Sequence, residues 1–173
     1  MDPTAWFNPF GLFLMAAILV PNFLFARRYP EAFTASQNKL LEALEQIGRF
    51  GCFGFMIIQL PGAVWGFWFP GAQEVYFAYG MVITALYCLI WALCFHRPSL
   101  FRALALSILP SLLFLFSGAM LRSVPMIAAA ALFAPCHILL SYKNAVLARV
   151  YLKKEEATAR ADFSSVQGGK PKV

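Results

Sequence analysis

The chain has 173 residues, 61% hydrophobic, 16% aromatic and only 13% charged, with a mean hydropathy of +0.68. Soluble domains hold roughly 45–50% apolar and 25% charged residues, so this chain has too little polar surface to cover its apolar mass in water. That argues against soluble enzymes and nucleic-acid binders, and the formal net charge of +6 reads as a topology signal and an attraction to anionic lipid.

A helix needs about 20 apolar residues to cross roughly 30 Å of hydrocarbon. Five runs reach that length, which predicts an all-α bundle of five transmembrane helices. The first covers about 8–26 and stops at Arg27-Arg28. The second, about 39–60, starts as an amphipathic helix behind a Thr34/Ser36 cap, is wholly apolar after Arg49 and ends at Pro61-Gly62. The third, about 72–95, ends at His96-Arg97-Pro98, and the fourth covers about 100–121. The fifth, about 124–142, continues as a basic helical stem toward Lys154. Residues 1–150 then form one transmembrane domain. Residues 151–173, with mixed charges, Ser164-Ser165 and Gly168-Gly169, form a basic cytoplasmic tail expected to be a short helix that frays into disorder.

Cytoplasmic flanks collect Lys and Arg. With the N-terminus outside and the C-terminus cytoplasmic, every basic residue except Arg122 falls on the cytoplasmic side. No basic residue precedes the first span, so it is expected to stay in the mature protein and not be a cleaved signal peptide. On the outer side, Trp6, Phe7 and the aromatic loop through Trp65 and Trp68 suit the headgroup level. That loop lies on the interface, dips into it, or forms a lid over an outer cavity. Cys52, Cys88, Cys94 and Cys136 lie within spans without a CxxC pair. They read as free thiols packed like small apolar groups, with no disulfide, metal or cofactor expected.

Polar groups within spans are costly and therefore informative. Glu42, Glu45, Gln46 and Arg49 form one stripe at helical spacing. Glu45 precedes Arg49 by four, the favourable order for an intrahelical ion pair; alternatively the stripe marks the water boundary and Arg49 snorkels. Gly48, Gly51 and Gly54, with Cys52, make a small face for close helix packing, with Ala16-Ala17 and the alanines at 128–131 as partners. Pro21-Asn22, Pro110-Ser111 and Pro135-Cys136-His137 place a helix-breaking proline beside a polar residue. Such kinks either line cavities or serve packing.

Asn22, Arg49 and His137 fall at similar depth in their spans, and Glu45, Gln46, Ser107, Ser111, Ser141, Tyr142 and Asn144 add polar groups in the same half. Together they predict a polar pocket open to the cytoplasm. Arg49 would contact an anion, and His137 would act as hydrogen-bonding or proton-accepting group or simply tie two helices. The candidate ligand residues are Glu45, Arg49, His137, Asn22, Gln46, Tyr142 and Asn144.

The stretches Glu45-Gln-Ile-Gly-Arg-Phe-Gly-Cys52, Leu106 to Gly118, and His137-Ile-Leu-Leu-Ser-Tyr-Lys-Asn144 resemble segments of a group of small bacterial multi-pass membrane proteins of unassigned function. The resemblance covers roughly 8–147, implies a bacterial inner membrane and brings no activity. HExxH, GxSxG, GxGxxG and P-loop motifs are missing, and Asp occurs only at Asp2 and Asp162. Three readings follow: binding or transport of a small molecule or ion, an assembly subunit of a membrane complex, or a lipid-modifying enzyme. The expected partners are the bilayer, anionic lipid at the cytoplasmic face, a small ligand, and either a second copy or another membrane protein, with no nucleic acid.

Overall fold

Each helix in the computed structural model buries a narrow stripe and turns large apolar side chains outward, the reverse of a soluble fold. The structure describes residues 6–28, 38–95 and 99–168. The Thr34/Ser36 cap, the His96-Arg97-Pro98 stop and the end of the tail lie outside them. Five helices follow in order: α1 (Pro9–Arg28), α2 (Lys39–Ile57), α3 (Ala72–Cys94), α4 (Leu100–Met120) and α5 (Val124–Gly168). No strand occurs among the described residues, only two isolated bridges, Phe7 with Ile58 and Val64 with Ser123.

Four of the helices, α1, α3, α4 and the Val124–Tyr151 part of α5, are long and apolar enough to cross a membrane. This is the pattern of a multi-pass membrane protein. The second helix differs from expectation because Glu42, Glu45 and Arg49 fall within its 19 residues. Even so, its exposed side chains include Leu40, Ile47 and Phe50, whereas Glu45 is fully buried. Lys39 and Gln46 are exposed beside them.

The helices close into a ring in the spatial order α1, α3, α4, α5, α2, with α2 also touching α4. The most extensive interfaces are those of α5 with α2 and α4, and α1 makes the two smallest in the ring. Glycine sets the α2–α5 distance. A Cβ at Gly48 would stand 2.8 Å from the Phe133 backbone, and one at Gly51 would stand 2.9 Å from Ala129 Cβ. The glycine face thus packs on α5, while Gly54 meets open space.

The end carrying the aromatic loop is tightly tied. Asn8, fully buried, caps α1 by accepting from Gly11 N at 3.0 Å and donates to Met56 O and Tyr76 Oη, both at 3.1 Å. Asn8 N also donates to Ile57 O at 2.8 Å, and Gln59 N to Trp6 O at 2.8 Å. The loop after α2 is pinned by Trp68 Nε1 donating to Ala119 O at 2.6 Å. Helix α4 ends in a Schellman turn, with Ser123 N on Gly118 O at 2.9 Å and Arg122 N on Ala119 O at 3.1 Å. Arg122 takes the left-handed position (φ 51°) and lays its guanidinium 5.7 Å from the Trp65 ring and 5.0 Å from that of Trp68.

At the opposite end α5 continues past Tyr151 without a break to Gly168, 45 residues in all. At 1.5 Å per residue that is about 67 Å, twice the hydrocarbon thickness, so its last turns stand clear of the bundle. The lysines, glutamates, alanines and Arg160 after Tyr151 are strong helix formers, which explains the extension.

Gly48→Ala is expected to destabilise the fold by about 1–3 kcal/mol through overpacking. Gly54→Ala should be neutral or stabilise by up to about 1 kcal/mol through helix propensity. Thermal unfolding in one detergent checks both, and equal losses would contradict a close α2–α5 seam.

Candidate functional site

The close approach at Gly48 brings Glu45, one turn earlier on α2, against His137, one turn after Phe133 on α5. His137 Nδ1 lies 2.8 Å from Glu45 Oε1. On its own helix Glu45 meets Arg49, whose Nε donates to the same Oε1 at 3.0 Å, with Nη2 donating there as well. One carboxylate oxygen therefore holds two basic side chains from two helices. Opposite Arg49 the carboxylate is ionised and only accepts, so His137 Nδ1 carries the hydrogen. Nε2 is then the ring nitrogen left for a ligand. Phe133 stacks on the imidazole, 4.5 Å between centroids and 20° between planes, which fixes the ring's tilt. Glu45 Oε2 is buried with no hydrogen-bond partner. Glu45 is fully buried, whereas Arg49 and His137 keep 34% and 20% of their side chains accessible. The acid stands behind and the bases stand in front.

What they face is a cavity of about 780 Å³, within the range of small-molecule sites. All five helices line it: α1 with Asn22, α2 with Arg49, α3 with Trp91, α4 with Ser107, and α5 with His137 and Ser141. Most of the wall is apolar, and no Asp or Glu is among its lining residues.

The prolines shape this wall. Pro21 leaves the Ala17 carbonyl without its helical donor, and Cys88 Sγ of α3 takes that place at 3.6 Å. The next residue, Asn22, turns its Nδ2 onto Ile18 O at 3.1 Å. Pro110 is itself in the lining, as is Leu106, the residue whose carbonyl it frees. Ser107 and Ser111 bond back to α4 carbonyls, Leu104 O at 2.9 Å and Ser107 O at 2.7 Å, and Ser111 does not reach the cavity.

Of the residues read from sequence, the structure gathers Asn22, Arg49 and His137 on the cavity, with Glu45 directly behind. Gln46 and Tyr142 are exposed away from it. Asn144 lies two residues further along α5 with its Oδ1 buried and unpaired, also outside the lining.

Arg102 is the residue the sequence reading missed, having counted only as a flanking charge. It donates to Cys94 O and Phe95 O, both at 3.1 Å, and its guanidinium lies 4.9 Å from the Phe25 ring and 5.8 Å from that of Trp91, on the cavity wall. Its signal was available: an Arg in the first turn of α4, after a short loop, meets the unpaired carbonyls at the end of α3. Trp91 and Tyr87, set in an unbroken apolar run, carried none.

No family model matches the chain, and neither a curated protein nor a solved structure is detectably similar to it.

Glu45→Gln keeps the shape and removes the charge that holds Arg49 and His137. Breaking a fully buried pair costs about 3–5 kcal/mol. Because a third of Arg49 stays accessible, the expected loss is about 1–3 kcal/mol by thermal or denaturant unfolding. Gln46→Ala, on the exposed side of the same turn, should stay within about 0.5 kcal/mol.

Proposed function

We propose that this chain is a five-span protein of a bacterial inner membrane, N-terminus outside and C-terminus cytoplasmic, that binds or transports a small anionic molecule through a cavity open to the cytoplasm. The observation that carries this reading is the arrangement of Arg49 and His137 on the cavity wall with their common carboxylate, Glu45, sealed behind them. A guanidinium fixed by an ion pair on its far side keeps its other N–H donors set for a carboxylate or phosphate. In a low-dielectric wall an anion gains more from such donors than it does in water.

The second helix completes the five spans. Glu45 and Arg49 are paired with each other and Arg49 reaches the cavity, so the charges deepest in the helix are kept from lipid, while Ile47 and Phe50 are exposed. The same geometry favours binding over lipid-modifying catalysis, since Glu45 is enclosed and cannot reach a substrate as a base. The assembly reading draws on one separate observation, the length of α5 standing beyond the bundle with Lys153, Lys154 and Arg160 exposed. That stem suits anionic lipid or a partner at the cytoplasmic face and is compatible with a ligand site inside.

A ligand that binds only the folded state raises stability by about 2.7 kcal/mol at a hundredfold excess over Kd. Small carboxylates and phosphates screened by thermal shift should include one that stabilises the wild type and fails with Arg49→Gln. A folded wild type that no anion stabilises would contradict the reading.

A further inference from the structure

The wall of the cavity is not closed on every side. Before Pro21, α1 buries Gly11, Leu14, Met15 and Ile18; from Pro21 onward it buries only Phe25. Leu19, Val20, Phe23 and Leu24 all line the cavity, yet they are 41%, 56%, 63% and 56% exposed. A side chain that belongs both to a cavity wall and to the outer face of a bundle marks an edge of an opening.

The position of the opening follows from what holds α1. Its second half is fastened to α3, where Phe25 meets Trp91 at 4.8 Å and Phe95 at 5.6 Å, and where Cys88 reaches Ala17 O. Toward α2, α1 is tied at the aromatic end by hydrogen bonds of Trp6 and Asn8 with Met56, Ile57 and Gln59. Gly11 closes on the Met56 carbonyl there too. Past Pro21, the exposed α1 side chains of the cavity wall therefore form the edge of the opening that lies away from these ties. Arg49 and Phe53 of α2 form the facing wall. The gap between α1 and α2 thus runs sideways at the depth of the Arg49–Glu45–His137 cluster, with apolar flanks and a cationic inner end.

We infer that the ligand of this cavity is a membrane amphiphile with an anionic head, a carboxylate or phosphate on an alkyl chain, which enters laterally from the bilayer between α1 and α2. Its head is held by Arg49, beside His137, and its chain lies along Leu19, Phe23 and Phe53. This rests on the anion-binding reading of the same cavity and adds the tail and the route. A water-borne anion has no use for a wall this apolar. An uncharged lipid has no use for a guanidinium held at this depth, where charge is costly to keep.

The test uses the full chain in nanodiscs of zwitterionic lipid with head-matched and tail-matched probes: acetate through laurate, inorganic phosphate against dodecyl phosphate, and dodecanol as the uncharged tail. Affinity is expected to rise about fourfold per added CH2 until the cavity is filled. Arg49→Gln should weaken laurate and dodecyl phosphate at least tenfold and leave dodecanol unchanged, which separates site binding from partition into the bilayer. Phe23→Ala combined with Leu19→Ala, both at exposed positions, should cost laurate about tenfold and acetate nothing. Acetate and laurate binding within threefold of each other, both dependent on Arg49, would overturn the amphiphile while leaving the anion site standing. No Arg49-dependent binding of any probe to the folded protein would overturn both.

Discussion

A carboxylate with no accessible surface at all, Glu45, holds the functional half of this molecule together. Ionised and alone in an apolar bundle it would be among the costliest groups a chain can bury. Its single paired oxygen receives Arg49 from the same helix and His137 from α5, so the charge that would break the bundle becomes the tie across its α2–α5 seam. Gly48 permits this, because any larger residue would push Phe133 away and carry His137 with it. Geometry at one glycine therefore decides whether His137 reaches Glu45, and Glu45 decides which way Arg49 and His137 point.

The two ends of the bundle divide the work. At the aromatic end, Asn8, Trp68 and the Arg122 turn lock α1, α2, α4 and the intervening loop by hydrogen bonds and ring contacts. The fully buried residues Leu14, Met56, Tyr76 and Phe114 pack in the core. At the other end, the prolines of α1 and α4 leave helix walls that enclose space. A rigid end lets an open end persist, since a cavity lined on five sides collapses unless its helices are fixed somewhere else.

Much of this was legible from composition and periodicity. Helix number, near boundaries and the depth shared by Asn22, Arg49 and His137 all follow from apolar run lengths and a 1.5 Å rise. The i, i+4 spacing of Glu45 and Arg49 foretold their pairing. What periodicity could not give is which helix lies beside which. The glycine face of α2 had two plausible partners in sequence and chose α5; that choice brought His137 to Glu45 and left Gln46 and Tyr142 outside. Arg102 escaped notice for the same reason, because its role depends on the chain folding back onto the end of α3.

Glu45 and His137 are joined across two helices, and a double-mutant cycle in unfolding free energy measures that coupling directly. Glu45→Gln and His137→Phe, the latter chosen to keep an aromatic ring stacked on Phe133, are compared singly and together in the same detergent. The account predicts a coupling of about 1 kcal/mol or more, the range found for residues in direct contact. Effects that add to within about 0.3–0.5 kcal/mol, as for independent sites, would contradict it.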